Sequence, residues 1–105
     1  MRGINFYIPS PPGLTRIESD AFYYCTALRQ ITFPQGLITI ADEAFIGCEK
    51  LQQIVLPESI CSIAYEAFKY CSIDSVFINS LNIEQRTRIT QLLPSHCRRR
   101  FCILQ

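Results

Sequence analysis

The chain has 105 residues, six cysteines, one histidine and a formal net charge of +1. We expect a single domain over residues 1–105, which at this length would bury roughly 60–70% of its unfolded surface. The near-neutral charge argues against nucleic-acid binding, for which a broad basic face is typical. The longest apolar runs fall far short of the roughly 18 residues that a membrane span requires. Because Met1-Arg2-Gly3 is not followed by a secretory apolar segment, we expect a soluble protein that is cytoplasmic or exported without a signal peptide.

A repeat of 23 residues dominates the sequence. An Ala-Phe pair followed by a cysteine occurs three times at this spacing: Ala21, Phe22, Cys25; Ala44, Phe45, Cys48; Ala67, Phe68, Cys71. A fixed period of this length is typical of a solenoid, in which each repeat buries its apolar face against its neighbours. We place repeats at about 5–27, 28–50 and 51–72, a partial repeat at 73–79 and a C-terminal cap at about 80–105.

The first repeat is degraded at its start. Asn5 and Ser10 stand where apolar residues are expected, whereas Ile8, Leu14 and Ile17 follow the common pattern. Atypical terminal repeats are common in solenoids. A strand at about residues 6–8 would therefore be an open edge, and open edges can pair with another chain.

Each full repeat contains one short strand. In the second repeat, Ile31 and Phe33 alternate with Gln30 and Thr32, which is the period of a half-buried strand. Proline cannot donate to the hydrogen-bond ladder, so the strands should end at Pro34, Pro57 and Pro11. A second extended stretch, at 37–40 and 60–63, precedes a helical turn that holds the Ala-Phe pair.

These units resemble the BspA-like leucine-rich repeats, which read roughly L-x-x-I-x-L-P-x-x-L-x-x-I-x-x-x-A-F-x-x-C. The resemblance covers residues 5 to 78 and is carried by Leu28, Ile31, Phe33, Pro34, Leu37, Ile40, Ala44, Phe45 and Cys48, and by Leu51, Ile54, Leu56, Pro57, Ile60, Ile63, Ala67, Phe68 and Cys71. In the partial repeat, Ile73, Val76 and Ile78 follow one residue early. The resemblance implies an α/β leucine-rich repeat solenoid with a right-handed coil, a parallel sheet on the concave face and short helical turns on the convex side. It also implies interaction with partners rather than catalysis.

The cysteines are expected to be reduced. Cys25, Cys48 and Cys71 share one repeat position, so their side chains should stack in parallel at the strand spacing, which does not suit a disulfide. They would pack as small hydrophobic residues. Cys61 could face solvent, and Cys97 and Cys102 could pair. Without a Cys-x-x-Cys pair and with His96 as the only histidine, we expect no metal and no cofactor.

The C-terminal segment has helical rather than repeat spacing. Ile89, Leu92 and Leu93 fall on one face, with Ile83 as a looser match. Asn82 would cap this helix and Pro94 would end it. We predict a C-terminal capping helix that covers the end of the repeat core; the alternative is a docking helix for a partner. Residues 99–104 could return as a final strand with Phe101 and Ile103 packed.

Two features of the last residues invite a functional interpretation. Arg98, Arg99 and Arg100 supply the whole positive excess of the chain, and we interpret them as a solvated turn, with contact to a phosphate or an acidic partner as the alternative. Ser95, His96 and Cys97 are consecutive, and sequence neighbours rarely reach the geometry of a nucleophile and its base. We therefore do not expect an enzyme.

The strand residues that point away from the core are the candidate partner-binding residues. Alternation selects Tyr7, Gln30, Thr32, Gln53, Val55, Ser75 and Phe77, with Pro9 beside them. The period predicts two rows across the sheet: Tyr7, Gln30, Gln53, Ser75 and Pro9, Thr32, Val55, Phe77. A second candidate patch on the turn side consists of Tyr23, Tyr24, Ile46, Tyr65 and Tyr70, some of which must be buried between repeats.

The favoured function is a protein–protein interaction module that binds a protein or peptide through the concave sheet. The resemblance also points to a bacterial, host-interacting (effector-like) protein, because such repeats are common in host-associated microbes. The alternative is a structural, self-associating unit, such as a homodimer formed through the open N-terminal edge strand. A small enzyme or metal protein is a third class. The partner is not identified by the sequence.

Overall fold

A computed structural model describes residues 4–7, 14–93 and 102–104, with the two outer segments described by their backbone alone. The predictions made for Ile8, Pro9, Ser10, Pro11, Pro94, Ser95, His96, Cys97, the arginines at 98–100 and Phe101 lie outside these residues. So do the predictions for the side chains of Tyr7, Cys102 and Ile103.

Two parallel sheets are built from one long and one short strand per repeat. The larger sheet has the order β1-β3-β5-β7-β8, with β1 at Ile4–Tyr7, β3 at Leu28–Thr32, β5 at Gln53–Pro57, β7 at Ser75–Asn79 and β8 at Cys102–Leu104. The smaller sheet has the order β2-β4-β6, with β2 at Arg16–Ile17, β4 at Thr39–Ile40 and β6 at Ser62–Ile63. Parallel strands in open sheets are the architecture expected of a repeat solenoid. The predicted second extended stretch is thus confirmed as β4 and β6.

Strand register confirms the predicted alternation in the second and third repeats. Ile31 pairs with Ile54, and Ile54 pairs with Val76; all three side chains are buried. The pairing of Ile54 with Val76 also confirms that the partial repeat begins one residue early. A slip of one residue would turn each apolar side chain to the other face, so burial fixes the register strongly.

The predicted register of the first repeat is wrong by two residues. Phe6, not Ile8, pairs with Ile31, and the pairing is irregular between Ile4 and Asn5. A strand can shift by two residues without exchanging its faces, so the alternating pattern fits both registers. The connection from β1 to β2 is two residues longer than its counterparts, because β2 keeps the 23-residue spacing in pairing Ile17 with Ile40.

The strand ends agree with the prediction at one of the two described prolines. β5 ends at Pro57, as predicted, with Pro57 paired with Asn79, whereas β3 ends at Thr32, two residues before Pro34. Because proline has no N–H to donate, the ladder can include Pro57 only where the strand stops.

A stack of phenylalanine rings runs through the core between the two sheets and the turns. The Phe22 and Phe45 ring centroids are 4.7 Å apart and nearly parallel, at 7°, and those of Phe45 and Phe68 are 5.2 Å apart at 17°. Phe33 meets Phe45 edge-on, with ring centroids 5.6 Å apart. Phe45 is fully buried at the centre of this cluster. Such ring pairs contribute roughly 0.5–1.5 kcal/mol beyond their buried area.

The segments that carry the Ala-Phe pairs form hydrogen-bonded turns, and the predicted helical turns are not confirmed. The amides of Phe22 and Phe45 donate to the carbonyls of Ala44 and Ala67 in the next repeat, both at 2.8 Å, instead of to their own turn. Left-handed residues such as Glu43, with φ of 60°, also interrupt a right-handed helix. Bonding between repeats therefore prevails over the local helical pattern.

The cysteine ladder is reduced, as predicted. Cys25, Cys48, Cys61 and Cys71 are free thiols. The Cys48 thiol donates to the carbonyl of Phe22 at 3.0 Å, and the Cys71 thiol donates to that of Phe45 at 3.1 Å. Each of these cysteines thus bonds to the preceding repeat, and the same contact recurs one period later.

One helix, α1 at Ile83–Leu92, lies within the described residues. Asn82 caps it as predicted, since its side-chain oxygen accepts from the amide of Gln85 at 3.2 Å. Ile89 and Leu93 are buried in the core cluster, whereas Ile83 is 77% exposed and does not belong to the packed face.

Helix α1 connects β7 to β8, and its predicted role as a cap is not confirmed. β8 pairs in parallel with β7, which confirms a final strand within the predicted range 99–104. The two strands of a parallel pair need a crossover connection, and α1 lies in the segment that connects β7 to β8. The larger sheet therefore gains one more strand after the helix. Among the residues that the structure describes, no helix is long and apolar enough to span a membrane.

Candidate functional site

The outward face of the larger sheet brings six of the predicted partner-binding residues together. Each of these side chains is partly exposed and alternates along its strand with a buried core residue: Gln30 and Thr32 on β3, Gln53 and Val55 on β5, Ser75 and Phe77 on β7. We call these six residues the open sheet face. They are positioned by the same alternation that places Ile31, Ile54 and Val76 in the core.

Register arranges the open sheet face in two rows. Gln30 pairs with Gln53 and Gln53 with Ser75, while Thr32, Val55 and Phe77 form the second row. The predicted place of Tyr7 is wrong, because Tyr7 pairs with Thr32 and Asn5 pairs with Gln30. The two-residue shift of β1 moves Tyr7 from the amide row to the row that contains Val55 and Phe77.

The chemistry of the two rows differs. Side-chain amides at Gln30 and Gln53, with the hydroxyl of Ser75, provide both donors and acceptors of hydrogen bonds. Val55 and Phe77 provide an apolar strip at the adjacent strand spacing of about 4.8 Å. None of the six residues carries a charge. An uncharged surface of this kind suits a peptide or protein better than a phosphate backbone.

The predicted turn-side patch is also present, with one exception. Four of its side chains are exposed, at 58% for Tyr23, 46% for Tyr24, 65% for Tyr65 and 62% for Tyr70; we call these four residues the tyrosine face. Ile46 is 8% exposed and belongs to the interior instead. The Tyr23 and Tyr24 rings meet edge-on, with ring centroids 4.6 Å apart.

The repeats match a family described by its model as BspA type Leucine rich repeat region (6 copies), over residues 7–90. The match spans more than half of the chain and includes the strands and turns that form both faces. The chain belongs to this BspA-type leucine-rich repeat family. Repeats of this class commonly mediate protein–protein interaction and are typically non-enzymatic. Comparison with curated proteins and with solved structures gives no match.

An open cleft of about 630 Å³ lies where the last full BspA-type repeat meets α1. It is lined by Gln35, Glu58, Ser59, Cys61, Gln85 and Arg88. Cys61 is exposed here, as predicted, and its thiol is 3.4 Å from the carbonyl of Ser59. The Arg88 guanidinium donates to the carbonyls of Ile60 and Glu58, at 2.7 and 3.0 Å. The charged Arg88 side chain thus joins α1 to the third repeat.

The thiols of the BspA-type repeats are part of the packing. Burial, followed by the neighbouring Cys48, raises the pKa of the Cys25 thiol. A hydrogen bond from Cys71 lowers the pKa of Cys48, which nevertheless has no exposed surface. Within residues 4–7, 14–93 and 102–104, no group of three or more His, Cys, Asp or Glu side chains could hold a metal ion.

The left-handed backbone of several turn residues is not apparent in the alternating strand pattern. Asp20 and Glu43, which share one repeat position, have positive φ angles of 63° and 60°. Tyr24, Gly47 and Tyr70 share another position and are left-handed as well. Only Gly47 signalled such a backbone in the sequence, because glycine adopts this conformation without steric cost.

Proposed function

We propose that this leucine-rich repeat protein is a binding module that holds an extended segment of a partner protein on its open sheet face. The observation that carries the proposal is the pairing of an amide row with an apolar row across three adjacent strands. Gln30 and Gln53 can bond to a partner's backbone, while Val55 and Phe77 can accept an apolar side chain. Aromatic and apolar side chains with few charges are common at the centres of interfaces.

The family resemblance supports a narrower form of this proposal. A host protein would be the partner if the chain comes from a host-associated bacterium and acts as an effector. That form rests on the resemblance alone, whereas the binding face rests on the residues named above.

The test starts from peptides rather than from an assumed partner. A random peptide library displayed on phage is selected against the reduced protein, and the dissociation constants of enriched peptides are measured. A Gln30→Ala/Gln53→Ala/Phe77→Ser variant should bind them at least about tenfold more weakly, since a combined loss of about 1.4 kcal/mol over the three side chains is enough for that change. Tyr23→Ser/Tyr70→Ser, on the tyrosine face, is the matched control and should bind normally.

Amide chemical shifts provide the second readout. An enriched peptide should perturb signals from β3, β5 and β7, in the rows of the open sheet face. Unchanged affinity in the triple variant, with perturbed signals confined to other segments, would remove the open sheet face as the binding site. Thermal melting of each variant separates lost binding from lost structure.

Self-association is a second candidate, and the position of β1 favours it. β1 pairs with β3 on one side and forms an edge of the larger sheet as described. An edge strand has free backbone groups that can pair with another chain. Light scattering of the reduced protein across a concentration series tests this candidate. A dimer that dissociates on Asn5→Lys/Tyr7→Lys substitution would support it, and a monomer at all concentrations would refute it.

A further inference from the structure

The tyrosine face presents four exposed rings, two on the turn of the first repeat and two on that of the third. The Tyr24 ring lies against Gly47, since a Cβ atom at that glycine would fall within 2.7 Å of three Tyr24 ring atoms. Tyr23 then packs edge-on against Tyr24. These contacts hold two rings in place while leaving about half of each exposed. Rings held in this manner lose little entropy when they bind a partner.

One of the rings already has a cation over its face. The Lys69 ammonium lies 5.3 Å from the centroid of the Tyr70 ring, within the range of a cation–π contact. The same ammonium is 3.2 Å from the Glu66 carboxylate. Tyr70 and Glu66 thus show that this surface accommodates a positively charged group in contact with both a ring and an acid.

The surroundings of these rings are acidic. The turn segments 16–25, 39–48 and 62–71 contain five acids, Glu18, Asp20, Asp42, Glu43 and Glu66, and two bases, Arg16 and Lys69. Both bases are held in ion pairs within their own turns, Arg16 with Glu18 at 3.0 Å and Lys69 with Glu66. The carboxylates of Asp20, Asp42 and Glu43 form no ion pair among the described residues. The tyrosine face therefore has an excess of negative charge.

The negative charge of this surface affects the pKa of Lys69. Its pKa is raised by the hydrogen bond and charge of Glu66 first, then by Tyr70, with a further contribution from Glu43 in the preceding repeat. Acids from two repeats therefore act on one cation at this surface. Asp42 links the same two repeats, because its carboxylate accepts from the amide of Glu66 at 3.2 Å.

We infer that the tyrosine face binds a basic segment of a partner protein, with arginine preferred over lysine, through the exposed rings and the charges of Asp20, Asp42 and Glu43. An arginine guanidinium is planar, so it can stack on a tyrosine ring while it donates to a carboxylate. The rings of the first and third repeats are two repeat spacings apart, roughly 10 Å, and the turn between them carries Asp42 and Glu43. This surface is distinct from the open sheet face.

The test uses three fluorescein-labelled peptides of equal length, in which glycine alternates with arginine, lysine or glutamate. Fluorescence anisotropy at about 0.05 M salt, where exposed charges are weakly screened, gives the affinities. We expect binding in the order arginine, lysine, glutamate. Raising the salt to about 0.15 M should weaken the binding of both basic peptides.

Two pairs of variants test separately how the rings and the charges contribute to binding. Tyr23→Ser/Tyr70→Ser should weaken binding of the arginine peptide about tenfold, whereas Tyr23→Phe/Tyr70→Phe retains the rings and should bind like the native protein. Asp20→Asn/Glu43→Gln should weaken binding several-fold at low salt. Asp74→Asn/Glu84→Gln removes two exposed acids elsewhere and is the matched control.

Three results would overturn the inference. The first is equal binding of the glutamate and arginine peptides. The second is native affinity in both the serine pair and the Asp20→Asn/Glu43→Gln pair. The third is a loss of affinity in Phe77→Ser as large as in the serine pair, which would place the basic peptide on the open sheet face. Should the serine pair not fold, the pair Asp20→Asn/Glu43→Gln still decides the matter, because it alters side chains without touching the rings.

Discussion

The Arg88 guanidinium donates to the carbonyl of Ile60 at 2.7 Å, as the Ser59 hydroxyl donates to the carbonyl of Leu37 at 2.8 Å one repeat earlier. Leu37 and Ile60 occupy the same repeat position. Ser59 also accepts from the amide of Gly36, so its hydroxyl joins two repeats. An arginine from α1 thus replaces a contact that would otherwise come from the next repeat.

Replacing Arg88 by methionine should lower the free energy of unfolding by about 1–2 kcal/mol, because the carbonyls of Ile60 and Glu58 lose a charged donor. Methionine and arginine have similar helix propensities, so the helix itself should persist. Urea denaturation measures the change. Arg29→Met, at an exposed position of β3, is the control and should alter stability little. Equal stability of the two variants would mean that water replaces the guanidinium at no cost.

The stacked rings should differ in importance according to position. Phe45 has a neighbour on each side and no exposed surface, so Phe45→Ala should cost about 3–5 kcal/mol of unfolding free energy. Phe22 is partly exposed, so Phe22→Ala removes less buried apolar surface and should cost less than Phe45→Ala. If Phe45→Ala does not fold, Phe45→Leu, expected to cost about 1.5 kcal/mol, permits the comparison. Equal costs for Phe22→Ala and Phe45→Ala would contradict a stack centred on Phe45.

Gly47→Ala should destabilise the protein by two separable effects. Its φ of 75° lies in the left-handed region, which costs a residue with a Cβ about 1–2 kcal/mol. The new methyl group would also collide with the Tyr24 ring. A cycle with Tyr24→Ser, followed by thermal unfolding, measures the second effect, since removing the ring should recover part of the loss. Strict additivity of the two substitutions would show that the ring simply moves aside.

The rate at which each thiol is alkylated should depend on the exposure of its sulfur rather than on its pKa. Cys61 is exposed and should react at least about tenfold faster than Cys48, whose lowered pKa cannot help a sulfur that the reagent does not reach. The raised pKa of Cys25 reduces its thiolate fraction at neutral pH, so its alkylation rate should continue to rise with pH above the range in which an ordinary thiol titrates. Peptide mapping by mass spectrometry after timed iodoacetamide treatment resolves the sites, with a Cys61→Ser variant to confirm the fast one. Faster reaction at Cys48 than at Cys61 would contradict the packing described.

The sequence predicts the strands well where both faces of a strand are constrained. Ile31 and Ile54 must be buried while Gln30 and Gln53 are exposed, and this fixes the larger sheet and the rows of the open sheet face. At β1 the same alternation permits a shift of two residues. The choice of Phe6 over Ile8 could therefore not be predicted, and Tyr7 was placed in the wrong row.

The turns and the end of the solenoid depend on contacts between distant residues. The Ala-Phe segments have a local helical pattern, yet Phe45 bonds to Ala67 in the next repeat, a contact that no local pattern contains. The helical spacing of Ile89 and Leu93 predicted α1 correctly. The pairing of Cys102–Leu104 with β7, which extends the larger sheet past this helix, could not be derived from spacing because it lies outside the repeat.

The recurrence of one thiol bond, from Cys48 to Phe22 and from Cys71 to Phe45, has a consequence for length. A duplicate of residues 28–50, inserted after Lys50, would meet at both junctions the cysteine donor, the phenylalanine carbonyl and the stacked ring that the existing repeats supply. The solenoid could thus be lengthened in modules of one repeat, each adding a strand to both sheets. The area of the open sheet face, the proposed binding surface to which this repeat contributes Gln30 and Thr32, would then become an adjustable quantity, set by the number of copies that the gene encodes.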